Sequence, residues 1–284
     1  MFYYSKKIVL ILHEKAQNKE LEDDNLNIAV CIKEVPDTQA ELTLINDKEV
    51  LLSNIPLVIN PYDEYAIEAA IQAKEKLGGK VVVFSMGTDS VEEKLRMALA
   101  LGADEAVRIE TPAEVSNPLN TAKILAKALV KYSFDIILFG KTSVDENNSL
   151  IPSAVAELLD YPEVSEITEC SFDQDSLEAR RRDTSITEVI KVMYPVVLSV
   201  EKDLNKPRYP SLIMIRRAKA KPLQVLTIED LDITSDELNS IEKKNTFLKF
   251  ISPPDRKSGI VFSEGSASEL VDQLVSRLKE DKVI

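Results

Sequence analysis

From residue 28 onward, short apolar runs alternate with segments of helical periodicity. IAVCI (28–32) is the first such run, and KVVVFSMG (80–87) is a β-branched run suited to a strand that is buried on both faces. EAVRIE (105–110) and DIILFG (135–140) repeat the unit. This alternation predicts an α/β fold with a doubly wound, mainly parallel sheet of the Rossmann-like kind.

Capping residues mark the helices predicted between these runs. Asn60-Pro61 supplies an N-cap and a first-turn proline, Ser90 to Glu93 reads as a capping box, and Asn117-Pro118 opens a third helix. Gly78-Gly79 ends the first helix and Gly102 ends the second. The predicted helices therefore connect successive strands, as a parallel sheet requires.

After Pro162 the pattern changes to shorter alternating segments, EITECSF, LEARRR, EVIKVMY and VVLSV, which predict hairpin-like additions or an extended sheet. The chain ends in an amphipathic helix whose apolar face is typical of docking on another surface. That face carries Leu270, Val271, Leu274, Val275 and Leu278. We therefore divide the chain into an N-terminal extension (1–27), an α/β domain with added β segments (28–201), a proline-punctuated loop (202–222) and a C-terminal arm (223–284).

The composition is that of a soluble globular protein. Hydrophobic residues make up 44% of the 284 residues and charged residues 29%, and no apolar run approaches the roughly 18 to 20 residues that span a bilayer. The formal charge is −13, and a chain of that sign is repelled by phosphate backbones. We therefore expect no nucleic-acid partner and at most peripheral contact with a membrane.

Few residues could support metal or nucleophilic chemistry. His13 is the only histidine, and the two cysteines, Cys31 and Cys170, stand far apart in the sequence. That set supplies neither an ordinary His/Cys zinc site nor a Ser-His-Asp triad, so we expect no metal and no catalytic residue. Free thiols and the lack of a leader-like pattern in residues 1–27 predict a cytoplasmic protein.

Polar residues follow four of the predicted strands, at the edge where open α/β sheets bind ligands. Neither G-x-G-x-x-G nor G-x-x-x-x-G-K-[ST] occurs, so the common phosphate fingerprints are missing. Polar residues at strand ends are more often ordinary loop residues than ligand contacts. Periodicity alone therefore predicts an α/β domain with a candidate nucleotide crevice.

Seven segments resemble one known family in their order and spacing. They are IKEVPDT (32–38), INPYDEYAIEAAIQAK (59–74), VFSMG (83–87), MALALGADEAVRIE (97–110), ILFGKTSVD (137–145), LNKPRYPSL (204–212) and PPDRKSGIVF (253–262). The family is the β subunit of the electron transfer flavoprotein, and the resemblance covers about residues 28–284. The implied fold is Rossmann-like, of the adenine nucleotide alpha hydrolase-like type, with a C-terminal arm and helix (223–284) that would dock on the α subunit.

This resemblance implies an electron carrier and not an enzyme. An α subunit would hold the FAD, accept electrons from acyl-CoA or other flavin dehydrogenases, and pass them to the electron transfer flavoprotein–quinone oxidoreductase or another acceptor. The β chain would hold AMP or, in electron-bifurcating members, a second FAD. Tyr62 would lie nearest the α-subunit flavin. The positions implied around the nucleotide are Cys31, Asn60, Pro61, Tyr62, Asp63, Met86, Gly140, Asp145, Asn147, Asn148 and Ser149.

Two residues of the nucleotide loop depart from the family. Leu150 stands where the family has a phosphate-binding amide, and Pro152 stands where it has a glycine. Proline lacks an N–H and has a fixed φ, so it removes a donor and restricts the approach of an anion. Losing one or two charge-assisted hydrogen bonds, at about 1.5–3 kcal/mol each, would weaken binding roughly ten- to several-hundred-fold. We therefore expect the nucleotide to be held weakly, differently or not at all.

Residues 202–222 invert the charge of the chain, with seven basic residues and one acidic residue. By resemblance they are the family's partner recognition loop, in which a leucine enters an apolar pocket of the dehydrogenase. Leu212 is the matching residue, and Tyr209, Arg208 and Arg217 are predicted to bind the partner with it. A leucine beside a rigid proline and a cationic stretch is typical of a hot spot with an electrostatic rim.

The sequence leaves several interpretations open. Besides a heterodimeric carrier subunit, the chain could be a stand-alone adenine-nucleotide sensor with the same crevice, or an enzyme, for which it scarcely provides a base or metal. Arg180-Arg181-Arg182 fits either a solvated surface strand or a contact to an acidic patch on the α subunit. Leu26 stands at the family's usual initiator position, so residues 1–27 are either an added arm or a sequence upstream of the true start.

Overall fold

The computed structural model describes residues 7–12, 26–40, 43–47, 49–51, 55–111, 117–183, 186–234, 237, 249–251 and 259–284. His13, Thr184-Ser185 and the PPDRKS segment at 253–258 lie outside the described residues. The chain divides into two compact units, one drawn from residues 1–42 and 51–247 and the other from residues 43–50 and 248–284.

A seven-stranded sheet forms the centre of the first unit, and every neighbouring pair of its strands is parallel. The strands, in spatial order, are β10 (Glu163–Ile167), β14 (Val196–Val200), β9 (Ile136–Gly140), β2 (Asn27–Cys31), β7 (Lys80–Gly87), β8 (Glu105–Glu110) and β15 (Leu223–Leu226). From β2 the order runs through β7, β8 and β15 on one side and through β9, β14 and β10 on the other, which confirms the predicted doubly wound α/β fold. The apolar runs did not predict β15, a four-residue strand that pairs with β8.

Helices cover both faces of this sheet. They are α1 (Pro61–Leu77), α2 (Val91–Leu101), α3 (Pro118–Val130) and α4 (Ile151–Leu159). Ile28 and Val30 of β2 belong to the hydrophobic cluster of α1 and α2, whereas Ala29 and Cys31 belong to the cluster of α3 and α4. Successive side chains of a strand point to opposite faces, so a strand between two helical layers must be apolar at every position.

The glycine and proline signals predict the helix boundaries correctly, but two predicted caps do not form. Asn60 and Ser90 occupy N-cap positions without a side-chain capping bond. The Ser90 hydroxyl instead donates to the Glu34 carboxylate at 2.8 Å. Asn117 does cap α3, because its side-chain oxygen accepts from the Leu119 N–H at 2.9 Å. A tertiary partner has therefore replaced the local capping bond at Ser90.

A second, four-stranded sheet is built from the segments after Pro162. Its strands are β11 (Glu169–Phe172), β12 (Ser176–Asp183), β13 (Ile186–Met193) and β1 (Lys7–Leu12). The first three are antiparallel neighbours, as the hairpin pattern predicts, while VVLSV instead joins the central sheet as β14. The N-terminal extension supplies β1, which pairs in parallel with β13.

Arg180, Arg181 and Arg182 lie on β12 and alternate between the two faces of the second sheet. Arg180 forms an ion pair of 3.3 Å with Glu169 on the neighbouring strand β11. Arg181 pairs with Glu188 on β13. Two of the three charges are balanced within the sheet, which favours a solvated strand over a partner contact.

The smaller elements complete the description. In the first unit these are an antiparallel pair of β3 (Glu34–Pro36) and β6 (Leu57–Ile59), a short helix α5 (Leu212–Ala218) and a 3-10 turn (Glu229–Leu231). In the second unit, β4 (Thr43–Asn46) pairs with β5 (Glu49–Leu51), and α6 (Ala267–Glu280) is the predicted C-terminal helix. A capping box between Ser266 and Glu269 opens α6, and none of its residues is buried. None of the helices described is long and apolar enough to cross a bilayer.

Candidate functional site

The carboxyl ends of β2, β7 and β9 lie beside the N-terminus of α1, where the strand order reverses. In open parallel sheets this switch point is the usual ligand crevice. Cys31, Met86 and Gly140 lie at the three strand ends, and Asn60 to Asp63 begin α1. The structure therefore brings together the residues that the resemblance implies from four separate segments.

Asn60 joins the start of α1 to the loop after β9. The residue is 1% exposed, and its side-chain amide donates to the Asp63 carboxylate and to the Thr142 carbonyl, both at 2.9 Å. Its side-chain oxygen accepts from the Val144 N–H at 3.2 Å. Because the side chain is used in this way, it does not cap the helix, and Asn60 instead fixes the path of the loop.

Asp63 links the ends of β2 and β9. Its carboxylate accepts the Lys33 N–H at 2.7 Å and the Gly140 N–H at 3.2 Å, in addition to the amide of Asn60. The residue is 5% exposed, and this burial outweighs the three hydrogen bonds and raises the pKa of Asp63 to about 7. A titratable group therefore lies at the floor of the crevice.

Gly140 allows α1 to approach the end of β9 closely. A Cβ atom at this position would lie 2.3 Å from a carboxylate oxygen of Asp63 and 2.6 Å from the Cβ of Tyr62. Both distances are well below van der Waals contact, so any side chain here would push the first turn of α1 away from the sheet.

The loop after β9 pairs its acidic side chains with a lysine from the segment that follows β2. Lys33 Nζ lies 2.8 Å from the carboxylate of Asp145 and 2.9 Å from that of Glu146. Asn147 and Ser149 have left-handed backbone conformations, with φ of 50° and 52°. Lys33 follows the first predicted strand, one of the four strand ends with polar residues, but it is not among the positions that the resemblance implies around the nucleotide.

The end of this loop uses its own backbone donor. The Leu150 N–H donates to the side-chain oxygen of Asn148 at 3.1 Å. Pro152 is buried in the first turn of α4 and has no N–H to offer. The two residues that depart from the family pattern thus contribute no free backbone N–H here.

The remaining predicted crevice residues present apolar surface and one aromatic ring. Cys31 is buried, and this burial together with the nearby charge of Asp63 raises the pKa of its thiol well above the ordinary value. Met86 is half-buried and packs against the cluster of α3 and α4. The ring of Tyr62 is also half-buried, and the Lys202 ammonium lies 5.0 Å from its centroid.

A second candidate surface lies on the segment of residues 209–218, which the structure shows to be a helix start and not only a loop. Tyr209 is 95% exposed and Leu212, the first residue of α5, is 77% exposed. Ile213 is exposed as well, so three large apolar side chains face solvent together. Exposed apolar clusters of this kind mark interaction sites.

Two of the seven basic residues in the 202–222 stretch are used inside the protein. Arg208 forms ion pairs with Glu68 and Glu75 of α1 at 2.8 and 2.6 Å. The Lys221 ammonium donates to the carbonyl groups of Leu99 and Ala103 near the end of α2. The other five stay exposed, with Lys202 over the Tyr62 ring, and they are Lys202, Lys206, Arg216, Arg217 and Lys219.

The molecule is a Rossmann-like α/β protein. It has an open parallel sheet with a polar crevice at its switch point, and an exposed apolar segment lies beside α1 and α2. These features are typical of a binding protein. Within the described part of the chain, no three His, Cys, Asp or Glu side chains form a group that could hold a metal ion.

Comparison with known proteins narrows this class. Residues 50–231 match the family model described as the electron transfer flavoprotein domain. A Thermoanaerobacterium thermosaccharolyticum protein named electron transfer flavoprotein subunit beta is 37% identical over 261 residues, which cover 91% of this chain and 100% of that protein. A protein of the same name from Bacillus subtilis is 36% identical over 262 residues, which cover 91% of this chain and 100% of that protein. One from Homo sapiens is 30% identical over 260 residues, which cover 90% of this chain and 97% of that protein.

The chain belongs to the electron transfer flavoprotein β-subunit family. The matches confirm the resemblance that the motifs carry, and they do not favour the stand-alone nucleotide sensor. Electron transport with a flavin, in a heterodimer with an α subunit, follows from this membership.

Proposed function

We propose that the α partner of this chain holds the FAD and that the chain itself supports the flavin and presents a docking surface to electron donors. Tyr62 is the side chain we assign to the flavin-facing side of the crevice, as the family resemblance implies; its ring is half-buried beside the Lys202 ammonium. No bond chemistry is assigned to this chain. We further propose a cytoplasmic site of action, in keeping with two free cysteines.

The observation that supports docking best is the exposure of Leu212 between cations. We call residues 209–218 the docking segment. Leu212 is 77% exposed on α5, and the stretch of residues 202–222 has five exposed basic residues in a chain of net charge −13. An apolar anchor with a charged rim would bind a flavin dehydrogenase that has an apolar pocket bordered by acidic residues, since the rim speeds encounter and the anchor slows dissociation.

Replacing the anchor tests this docking role. Leu212→Ala should weaken docking to a purified acyl-CoA dehydrogenase by about 2 kcal/mol, or about 30-fold in the dissociation constant. Ile213→Ala is the matched control, because Ile213 is 63% exposed on the same helix but does not match the family's anchor. Equal electron-transfer kinetics in the wild type and in Leu212→Ala would remove Leu212 as the anchor.

We also propose that the crevice binds adenine nucleotide weakly. Its floor, built by Asn60, Asp63 and Gly140, supports the proposal that a nucleoside is held there. The phosphate end fits poorly, because Pro152 has no N–H and the Leu150 N–H is occupied by Asn148. Equilibrium titration with AMP, ADP and FAD measures this, and a sub-micromolar constant for AMP would refute the proposal.

Co-expression separates the proposed carrier subunit from its rivals. A chain of this function should co-purify with an electron transfer flavoprotein α subunit as a yellow 1:1 complex. A nucleotide sensor would purify as a colourless homodimer carrying nucleotide, and an enzyme would turn over a substrate by itself. The visible absorbance of the co-expressed pair is therefore the first measurement to make, and transfer of its electrons to a quinone oxidoreductase is the second.

A further inference from the structure

Arg208 directly precedes the exposed Tyr209, yet all three nitrogens of its guanidinium donate to side chains of α1. Nε donates to Glu68 at 2.8 Å, and Nη1 donates to Glu75 at 2.6 Å. Nη2 donates to both carboxylates at 3.0 Å. Each carboxylate is therefore bound in a bidentate manner, an arrangement that only the planar fork of arginine can make.

The burial of Glu68 makes this arrangement costly to break. Its side chain is only 6% exposed, whereas that of Glu75 is 58% exposed. If Arg208 turned outward to contact a partner, the buried Glu68 carboxylate would lose its cationic partner and keep a hydrogen bond from the Gln72 amide. The geometry therefore opposes the prediction that Arg208 itself contacts the dehydrogenase.

The remaining contacts near the docking segment also hold its two ends. On the N-terminal side, the Asn205 amide donates to the Tyr65 carbonyl of α1 at 2.9 Å. On the C-terminal side, Arg96 of α2 donates to the carbonyl groups of Ala218 and Lys221 at 3.0 and 2.7 Å. Leu212 thus lies between two points that are tied to different helices of the core.

We propose that Arg208 is a positioning residue, which orders the docking segment on α1 through Glu68 and Glu75 and so favours binding without touching the partner. A segment already ordered before encounter loses less conformational freedom on docking, which strengthens binding without any new contact. This inference rests on the proposed docking function, and its test keeps the two apart.

Hydrogen exchange of the full chain, measured by mass spectrometry, tests the ordering. Arg208→Gln should raise exchange in peptides from residues 209–218 about tenfold and leave peptides from β2 and β7 unchanged. Lys206→Gln is the matched control. It removes an exposed charge two residues away for which the described part of the chain supplies no ion-pair partner, so exchange should change less than about twofold. Equal exchange in the two variants would overturn the proposal.

Two more variants keep the test decisive if Arg208→Gln also loosens the core. Glu75→Gln keeps the pair with Glu68 and should raise exchange in residues 209–218 about threefold, and no rise there would count against the proposal. Arg208→Lys keeps the charge without the fork and should restore only part of the protection.

Kinetics then separate positioning from general damage. With the α subunit and an acyl-CoA dehydrogenase, Arg208→Gln should raise the KM for the carrier about tenfold and leave kcat unchanged. A fall in kcat at unchanged KM would contradict the positioning role. If Leu212→Ala leaves docking unchanged, the proposed docking function fails, while the exchange result still decides whether Arg208 orders the segment.

Discussion

Replacing Asp63 by asparagine should change how the stability of the protein depends on pH. The Asp63 carboxylate is 5% exposed and accepts hydrogen bonds from Lys33, Asn60 and Gly140. Burial raises the pKa of this carboxyl to about 7. Asparagine has nearly the same shape but does not titrate, and its amide would face one of the backbone N–H donors.

The sign of the effect follows from the unfolded chain, in which an aspartic acid has a pKa of about 3.9. Because the pKa is higher in the folded state, the folded state holds the proton more tightly. The stability contributed by this carboxyl is therefore complete below pH 4 and is lost as the pH rises through 7. Three pKa units at 1.36 kcal/mol each correspond to about 4 kcal/mol, of which about 2.5 kcal/mol is lost between pH 5 and pH 8.

Urea unfolding followed by circular dichroism at pH 5, 6, 7 and 8 measures this loss. At pH 5 the free energy of unfolding of Asp63→Asn should be about 1–3 kcal/mol lower than that of the wild type, plus about 2.5 kcal/mol that the protonated Asp63 carboxyl contributes. This difference should narrow as the pH rises, because the wild type loses the second contribution. Asp203→Asn is the control, because Asp203 is exposed and its left-handed φ of 66° also suits asparagine. A gap between Asp63→Asn and wild type that stays constant from pH 5 to pH 8 would refute the reasoning.

Three further predictions use the same fold. Gly140→Ala should lower the free energy of unfolding by about 1–3 kcal/mol, because its Cβ would lie 2.3 Å from an Asp63 oxygen; an unchanged urea midpoint would contradict the close approach. Phe84→Ala should cost about 3–5 kcal/mol in the same assay, since the buried ring packs edge-on against Tyr132 and Phe134 at 5.6 and 5.7 Å, and a loss below about 1 kcal/mol would mean that the ring is not a core anchor. Cys31 should react with a colorimetric thiol reagent at least about a hundredfold more slowly in the folded chain than in urea, and rapid labelling of the folded chain at this residue would disprove its burial.

Most of the central sheet could be predicted because the apolar pattern of its strands matches their burial between two layers of helices. KVVVFSMG predicts a strand, and β7 spans Lys80–Gly87, since a strand covered on both faces needs an unbroken apolar run. The capping box at Ser90 was wrong because Glu34, 56 residues away, accepts the Ser90 hydroxyl. β15 was missed because its stability comes from pairing with β8 and not from its own four residues.

The candidate site could be predicted only in part. The resemblance named Asn60, Asp63 and Gly140, and these residues do meet, but it did not reveal that Lys33 and Lys202 join the crevice. Counting charges likewise suggested that Arg208 belongs to an open cationic surface. Its actual neighbours, Glu68 and Glu75, lie 140 and 133 residues earlier in the chain. A charge count contains no information about such distant pairs.

The sequence by itself determined the class of fold, the order of its strands and helices along the chain, and membership of the electron transfer flavoprotein β-subunit family. These depend on short-range periodicity and on motifs that can be read locally. Only the tertiary structure decided which polar groups are satisfied within the protein and which stay free. Hydrogen bonds such as that from Gly140 to Asp63 join residues 77 positions apart, and their formation depends on the folded packing that brings two distant backbones within 3.2 Å.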